Sequence, residues 1–385
     1  VGMIGISWGG FNGLQIAAMQ PPQLKAVVSV CSTDDRYADD VHYMGGCLLG
    51  DNLSWASTMF AYNSLPPDPE IVGDQWRDMW FERLRGSGLW LDTWLQHQHR
   101  DEYWRHGSIC EDFSRVQIPV MAVSGWADGY SNAVFRLLTN LPGPRMGLIG
   151  PWSHKYPHLG VPGPAIGFLQ ECLRWWDKWL KGVETGIMNE PMLRAWMLDS
   201  MPPSTSYHQR YGRWVSEPTW PSPHIDELTY KLAEHRLIDE ETGAPECALS
   251  LQSPLSNGLF AGKWCSYSAT PDLPHDQREE DGGALLFTTA PLGKSLEILG
   301  APVIELELAA DRPVAMLAVR LSDMRPDNKV TRVTYGLLNL THRDGHANPE
   351  PLEPGKRYSV RVQLTDVAQT FPTGHRIRIA FSSTY

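Results

Sequence analysis

The chain has 385 residues, which is long enough for two domains that each bury a core, and its composition is that of an ordinary globular protein. The formal net charge of −11 argues against nucleic acid as the main partner, because nucleic-acid-binding proteins usually carry a basic surface. No apolar run reaches the length that a membrane-spanning helix needs, so no membrane partner is expected.

The first part of the chain alternates between strand and helix patterns. Residues 1–6 form a continuous apolar run, which is typical of a strand buried on both faces, and helical spacing follows over 10–20. Three more strands are predicted at 24–30, 118–124 and 145–149, and two more helices at 131–141 and 164–181. Strands that alternate with helices imply a parallel sheet, so residues 1–34 and 115–186 are predicted to form one α/β core.

Two long stretches depart from this alternation. Residues 35–114 are rich in Trp, Tyr, Arg and Asp at helical spacing, which predicts a helical insertion placed to cover a site as a lid. Residues 187–385 show short runs of β-forming residues between Pro and Gly, which predicts an all-β sandwich. Within it, the polar stretch 270–283 is interpreted as a surface loop. The clearest strands are predicted at 285–289, 303–308, 315–321, 332–338, 358–364 and 376–381.

A G-x-S-x-G motif ends the first predicted strand, with Ser7 between Gly5 and Gly9. The motif alone is weak evidence, but here it lies between a buried strand and a helix, as a nucleophile on a sharp turn requires. Glycines flank such a serine because a Cβ would clash with the neighbouring backbone. A purely structural Gly-Ser turn is the alternative interpretation.

A serine hydroxyl becomes a useful nucleophile only when a base takes its proton, and the base is usually a histidine oriented by a carboxylate. In this fold the three residues come in the chain order serine, acid, histidine, each after a strand. Here Asp128 follows the third predicted strand and His154 follows the fourth. We therefore predict a triad of Ser7, Asp128 and His154, with the backbone N–H of Trp8 as an oxyanion donor.

Other residues of the same types are alternatives. Asp34 and Asp35 follow the second predicted strand, where some hydrolases of this fold keep the acid. His158 lies four residues after His154, but Pro157 disfavours the helix that such a metal-binding pair needs. The remaining candidates, interpreted as solvated or lid residues, are His97, His99 and the acidic run 34–40.

The six cysteines are scattered through the chain and form no C-x-x-C pair, so no metal centre is predicted. Scattered cysteines also favour a reducing compartment such as the cytoplasm. The compartment itself stays unassigned, because residue 1 is a valine and no signal peptide can be judged.

Several motifs together resemble the CocE/NonD hydrolases, the group that contains cocaine esterase, α-amino acid ester hydrolases and X-prolyl dipeptidyl peptidases. The matching motifs span nearly the whole chain in family order: GISWGG at 5–10, GWADGYSN at 125–132, GPWSH at 150–154, WWDKWLKG at 175–182, GAPVIELELAAD at 300–311, VRLSDMRPD at 319–327 and FPTGHRIRIAFSS at 371–383. The C-terminal motifs are as specific as those of the triad, because ordinary α/β hydrolases lack them.

The resemblance implies an α/β-hydrolase core with a helical cap at 35–114 and a C-terminal jelly-roll domain at 187–385. It carries the triad roles to Ser7, Asp128 and His154. The family has further strands and a tyrosine oxyanion donor before the nucleophile strand, which this chain does not match. We therefore expect a fragment that lacks N-terminal sheet strands and the last jelly-roll strands, which leaves its own activity in question.

The predicted function is hydrolysis of carboxylic esters through an acyl-enzyme, without a metal or organic cofactor. Tyr130 and Ser131 stand where relatives that prefer α-amino acid esters carry carboxylates, so uncharged acyl groups are expected. Trp126 and Trp152 are further candidates for the pocket wall. The alternatives are an X-prolyl dipeptidyl peptidase or amide acylase with the same triad, and a non-catalytic protein that binds through its jelly roll. We expect a small-molecule ester or amide as the partner and a homodimer as the assembly.

Overall fold

The computed structural model describes all 385 residues, and its first part is a parallel sheet with helices on both faces. The elements of this part are β1 (Gly2–Ile6), α1 (Trp8–Ala18), β2 (Ala26–Val30), β3 (Tyr43–Met44), β4 (Cys47–Leu48), α2 (Asp51–Asn63), α3 (Pro69–Val72), α4 (Trp76–Gly86), α5 (Trp90–Gln96), α6 (Glu102–Arg105), β5 (Val120–Gly125), α7 (Ser131–Asn140), β6 (Arg145–Gly150) and α8 (Phe168–Lys181). Strands β1, β2, β5 and β6 pair in parallel in that order.

Two apolar layers hold this sheet. Leu14 of α1 and Leu138 of α7 pack with Val27 and Ala122 on one face, whereas Trp175 of α8 packs on the other face. Strands β2 and β5 are buried along their whole length, as expected for the middle of a parallel sheet covered on both sides.

Strand β1 is less buried than its apolar sequence predicts. It pairs only with β2, at the edge of the sheet, and the side chain of Ile4 is 46% exposed. The prediction of a strand buried on both faces is therefore wrong for β1, because an edge strand has a neighbour on one side only.

The insertion between β2 and β5 contains the small hairpin β3–β4 and the helices α2 to α6. It has an aromatic core of its own, in which Tyr37, Tyr43, Trp94 and Trp104 surround Ala56. Helices α3 and α4 lie outside that core and contain no buried residue. No helix in the structure combines the length and the apolar character that crossing a bilayer demands.

The C-terminal half is built mainly from antiparallel strands. Its elements are β7 (Leu193–Leu198), β8 (Gly212–Glu217), β9 (Tyr230–Ala233), β10 (Arg236–Asp239), α9 (Arg278–Asp281), β11 (Leu285–Thr288), β12 (Leu296–Gly300), β13 (Val303–Ala309), β14 (Met316–Met324), β15 (Val330–Asn339), β16 (Arg357–Gln363), β17 (Val367–Phe371) and β18 (Arg376–Ser382). One six-stranded sheet has the order β15-β14-β18-β11-β10-β9, and β13 pairs with β16. A second apolar core joins these strands.

The core sheet extends past residue 187, where the sequence predicts the β-domain to begin. Strand β7 pairs in parallel with β6, after the crossover through α8, and β8 pairs antiparallel with β7. Strands β17 and β12 continue the same sheet at its far side. Two parallel strands need a long crossover between them, and here helix α8 supplies it. Because α8 ends before residue 187, the sequence pattern assigned β7 to the sandwich and not to the core sheet.

The polar stretch 270–283 is not a simple surface loop, and that prediction is wrong. Asp272, Gln277 and Glu280 are each at most 2% exposed. Glu280 accepts hydrogen bonds from the N–H groups of Gly258 and Phe260 at 2.7 and 2.8 Å. Polar side chains can be buried when they are hydrogen-bonded, so composition alone misjudged this stretch.

Candidate active site

Ser7 occupies a strained turn between β1 and α1. Its φ and ψ angles are 60° and −129°, which are unusual for a residue other than glycine. Its own N–H donates to the Val30 carbonyl at 2.9 Å, so the turn is fastened to the end of β2. Strain that the surrounding structure maintains in this way is typical of functional positions.

The glycines of the motif do not all have the same role. A Cβ on Gly5 would lie 2.2 Å from the carbonyl carbon of Gly9, and one on Gly10 would lie 2.7 Å from Cβ of Ser32. A Cβ on Gly9 would meet nothing within 4 Å. The expectation that the flanking glycines avoid clashes is therefore right for Gly5 and wrong for Gly9, because the helix turns that position towards open space.

The carboxyl edge of the sheet brings the predicted chemistry together. Ser7 follows β1, Asp128 follows β5, and His154 follows β6, and parallel strands end at the same edge. Cys31 follows β2, which lies between β1 and β5, and has a positive φ of 46°. This cysteine is a residue of the site that the sequence reasoning missed.

Asp128 and His154 form a buried pair. His154 Nδ1 lies 3.2 Å from Asp128 Oδ1, and the two residues are 8% and 4% exposed. The other carboxylate oxygen of Asp128 accepts a hydrogen bond from Ser124 Oγ at 3.2 Å. Burial raises the pKa of Asp128, but the charge of His154 and hydrogen bonds from His154, Cys31 and Cys265 outweigh it and leave the pKa below its usual value. Asp128 is therefore the ionised partner that an imidazole needs.

Ser7 is less buried than the Asp128–His154 pair. Ser7 is half-buried, and its hydroxyl makes no hydrogen bond in the structure, so the Ser7–His154 contact is not formed. The Trp8 N–H is the first amide of α1, where helix N–H groups lack an intrahelical acceptor. The Trp8 ring is 48% exposed and meets the edge of Trp55 of α2, with 5.7 Å between ring centroids. The insertion therefore lies over the nucleophile turn.

The alternative acids have other partners. Asp34 accepts hydrogen bonds from Arg136, with Nε at 3.0 Å from both carboxylate oxygens. Burial raises the pKa of Asp34 and the Arg136 charge counteracts that rise. Asp35 caps the turn at Tyr37, whose N–H lies 2.9 Å from its Oδ1. Neither carboxylate is bonded to His154, whereas Asp128 is.

The alternative histidines lie away from this edge pair. His158 stacks on Phe168 and Tyr156. His97 Nδ1 bonds to Asp101 at 2.6 Å, and His99 lies near the ring of His342. Residues Pro157–Leu159 form a short 3-10 turn and not the α-helix that Pro157 was expected to disfavour.

The three predicted pocket residues have different surroundings. Trp152 is 0% exposed, its ring fills the space beside Gly150 and Gly160, and its indole N–H donates to the Pro164 carbonyl. It belongs to the core, so its prediction as a pocket wall is wrong.

Trp126 and Tyr130 are also engaged elsewhere. The Trp126 indole N–H donates to the Trp196 carbonyl at 2.7 Å, and the residue lines a cavity between the domains rather than the surroundings of Ser7. Tyr130 is 6% exposed and donates its hydroxyl proton to Asp40, at 2.9 Å. The centroid of its ring lies 5.6 Å from that of the His154 ring, so Tyr130 packs against the histidine.

A segment of the β-domain completes the site. The N–H of His154 donates to the Ser266 carbonyl at 2.8 Å, and the Cys265 thiol lies 3.4 Å from Asp128 Oδ1. The Tyr267 ring packs edge-on against His154, with centroids 5.1 Å apart. Asp272 holds this segment by accepting from the Tyr267 N–H at 2.8 Å. No motif in the sequence marked these residues, since they meet the triad only through contacts across more than 100 positions.

A cavity of about 110 Å³ lies between the core and the β-domain, and Asp128 is among the residues that line it. Asp366 lines it and is 8% exposed, with its N–H bonded to Asn132 Oδ1 at 2.8 Å. Burial, partly countered by the Arg136 charge, raises the pKa of the Asp366 carboxyl to about 7. This residue is therefore an acid that the folded protein prefers to keep protonated.

Asp366→Asn is expected to change how stability depends on pH. The folded-state pKa of about 7 lies above the unfolded value of 3.8, so stability falls as pH rises from about 4 to about 7 and stays at the lower value above that. We expect a loss of about 2 kcal/mol between pH 5 and pH 8, because the two pH units from 5 to 7 correspond to at most about 2.7 kcal/mol at about 1.4 kcal/mol per unit. Urea midpoints at about pH 5 and pH 8 measure it. Relative to wild type, the Asp366→Asn variant should be more stable at the higher pH than at the lower pH. A difference in urea midpoint that is the same at both pH values would contradict the raised pKa of Asp366.

Comparison with known proteins agrees with this architecture. The model of the X-Pro dipeptidyl-peptidase S15 family matches residues 1–156, and that of the X-Pro dipeptidyl-peptidase C-terminal non-catalytic domain matches residues 185–385. The chain belongs to the X-Pro dipeptidyl-peptidase (S15) family, since the C-terminal domain model alone covers more than half of it. The resemblance inferred from the motifs is confirmed.

Two similar proteins carry different descriptions. A Mycobacterium bovis protein described as "putative serine esterase" is 27% identical over 309 residues, covering 73% of this chain and 46% of that protein. Cocaine esterase of Rhodococcus is 22% identical over 428 residues, covering 100% of this chain and 72% of that enzyme. The chain thus spans about half the length of the mycobacterial relative.

The fold has a solved counterpart in a CocE/NonD family hydrolase from Staphylococcus aureus. The TM-score is 0.74 at 15% identity, covering 99% of this chain and 63% of that one. At this identity the likeness concerns the fold, and it supports an α/β-hydrolase-like domain followed by a C-terminal β-domain.

Proposed function

We propose that this S15-family chain carries the catalytic centre of a serine hydrolase that cleaves carboxylic esters through an acyl-enzyme. The observation that carries the proposal is the buried Asp128–His154 pair, 3.2 Å apart, at the sheet edge where Ser7 stands on its strained turn. A hydroxyl, an imidazole and a carboxylate at one edge of the sheet are the groups that acyl transfer needs.

Each residue has a defined task in this mechanism. Asp128 holds the Nδ1–H of His154, which leaves Nε2 free to take the proton from the Ser7 hydroxyl as the oxygen attacks the ester carbonyl. The Trp8 N–H donates to the oxygen that becomes negative. His154 then protonates the leaving alcohol, and water releases the acyl group from Ser7 by the reverse transfer. Ser7 and His154 must close up when substrate binds, as catalytic hydrogen bonds often do.

The acyl site is proposed to favour uncharged groups. Tyr130 and Ser131 are both buried and neither carries a charge. Two carboxylates bond to Tyr130. Asp40 accepts from its hydroxyl and lies 3.4 Å from Arg36, and Asp128 accepts from its N–H at 3.4 Å and is paired with His154, so both charges already have partners. An α-ammonium group would find no free carboxylate among these residues, and burying it unpaired would be costly.

A second candidate is X-prolyl dipeptidyl peptidase activity with the same triad. The names of both matching family models favour it. The two activities differ in whether a free peptide N-terminus is required.

For the β-domain, we propose the jelly-roll connectivity, which is supported by its antiparallel six-stranded sheet and the β13–β16 pair. Assembly as a homodimer remains part of the proposal.

A fluorophosphonate probe and a small substrate panel test the proposal on the 385-residue chain. We expect one adduct per chain, located on Ser7 by peptide mass spectrometry, and hydrolysis of aryl esters with neutral acyl groups at least about 10-fold faster than of matched α-amino acyl esters. Faster cleavage of Xaa-Pro anilides would instead favour the peptidase. A folded chain that neither reacts with the probe nor hydrolyses any of these substrates would contradict catalysis. Ser57, which is exposed, serves as the control serine at which no adduct is expected.

A further inference from the structure

Three metal-ligating side chains meet at the proposed triad. Cys31 Sγ, a carboxylate oxygen of Asp128 and a ring nitrogen of His154 all lie within 4.8 Å of one another. The three residues are 1%, 4% and 8% exposed. They come from the ends of β2, β5 and β6, so the rigid sheet edge holds the group together.

The position of Cys31 is unusual in itself. Its backbone has a φ of 46°, which costs energy for a residue with a Cβ, and its N–H donates to the Val123 carbonyl at 2.7 Å. The thiol has a long contact of 3.9 Å to the Lys155 carbonyl and also approaches Asp128 and Ser124. The strained backbone therefore places a soft ligand next to the catalytic acid and base.

We propose that Cys31, Asp128 and His154 form a binding site for a thiophilic divalent cation, zinc or cadmium, which competes with Ser7 for His154. One sulfur, one nitrogen and one oxygen ligand with a fourth position left to water is a ligand set that zinc accepts, and the thiolate disfavours magnesium and calcium. Two ligand atoms on one tetrahedral zinc are about 3.5 Å apart, so a group that spans up to 4.8 Å needs to contract by about 1.3 Å at most. Cys265 touches Asp128 but lies outside the group of three.

Binding requires the Cys31 thiol to lose its proton to solvent, and it changes no oxidation state. A cation bound at Nδ1 of His154 replaces the proton shared with Asp128 and leaves the remaining ring proton on Nε2. A cation bound at Nε2 occupies the lone pair directly. In either arrangement His154 no longer accepts the Ser7 proton, so the cation acts as a reversible inhibitor. This consequence rests on the proposed hydrolase function, whereas binding itself does not.

Cadmium titration of the whole chain in a Cys247→Ser background tests binding without reference to activity. We expect one cadmium per chain, with the ultraviolet charge-transfer band of a cadmium thiolate. Cys31→Ser should remove the band and weaken binding about 100-fold or more, since even an outer partner of a metal ligand contributes 10- to 100-fold. Cys172→Ser, which removes another buried thiol on the α8 side of the sheet, should bind as the background chain does.

Two further results decide the proposal. His154→Gln should also weaken cadmium binding, which covers the case in which Cys31→Ser fails to fold. A band that survives in folded Cys31→Ser would overturn the site, because other thiols would then hold the metal, and so would an unchanged cadmium affinity in folded His154→Gln. If aryl ester hydrolysis is measurable, zinc should abolish it and a chelator should restore it. Binding without any hydrolysis in the metal-free chain would contradict the proposed function and leave the metal site standing.

Discussion

Asp128→Asn is expected to slow acylation of Ser7 about 10⁴-fold while the chain stays folded. The amide of asparagine offers an N–H where the carboxylate accepts the Nδ1–H of His154 at 3.2 Å, so the imidazole is held in the wrong tautomer. Nε2 then carries the proton and cannot receive another from Ser7. The second-order rate of fluorophosphonate labelling measures the effect, together with aryl ester hydrolysis.

Asp34→Asn is the matched control, since Asp34 is the competing acid and is buried too. It accepts hydrogen bonds from Arg136, so the variant should lose stability but label at the wild-type rate per folded molecule. Circular dichroism and urea midpoints establish the folded fraction of each variant. Equal loss of labelling in both, or loss in Asp34→Asn alone, would remove Asp128 from its proposed role.

Gly5→Ala is expected to cost about 3 kcal/mol or more of folding stability and to abolish labelling of Ser7. The added Cβ would lie 2.2 Å from the carbonyl carbon of Gly9 and 2.3 Å from its oxygen. Both contacts are with backbone, which cannot rotate away as a side chain can, so β1 and α1 must separate. That separation would also displace the Ser7 turn, which the Val30 carbonyl holds.

Gly9→Ala supplies the contrast within the same motif. A Cβ there meets nothing within 4 Å, and alanine in a helix is favoured over glycine by about 0.5–1 kcal/mol. We expect equal or slightly higher stability, with Ser7 labelling retained. Thermal and urea unfolding of the two variants side by side measure the difference. A loss of stability in Gly9→Ala as large as in Gly5→Ala would show that the clash does not explain the motif.

Local patterns in the sequence were enough for much of the first half. Apolar runs located the strands of the sheet, and helical spacing located α1, α7 and α8 within a few residues. The edge position of β1 was missed, because an apolar run does not show how many neighbours a strand has. The extension of the sheet by β7 and β8 was missed because both strands follow the crossover helix α8, at which the predicted core ends.

The sequence by itself determined which residue types follow which strands, and therefore the order of Ser7, Asp128 and His154 along one sheet edge. Only the tertiary structure decided that Asp34 pairs with Arg136, that Trp152 is core, and that the β-domain segment around Cys265 and Tyr267 closes on His154. Strand and helix patterns arise from neighbours a few residues apart. Cys265 meets Asp128 across 137 positions, and such a contact depends on how whole domains pack, which no local pattern encodes.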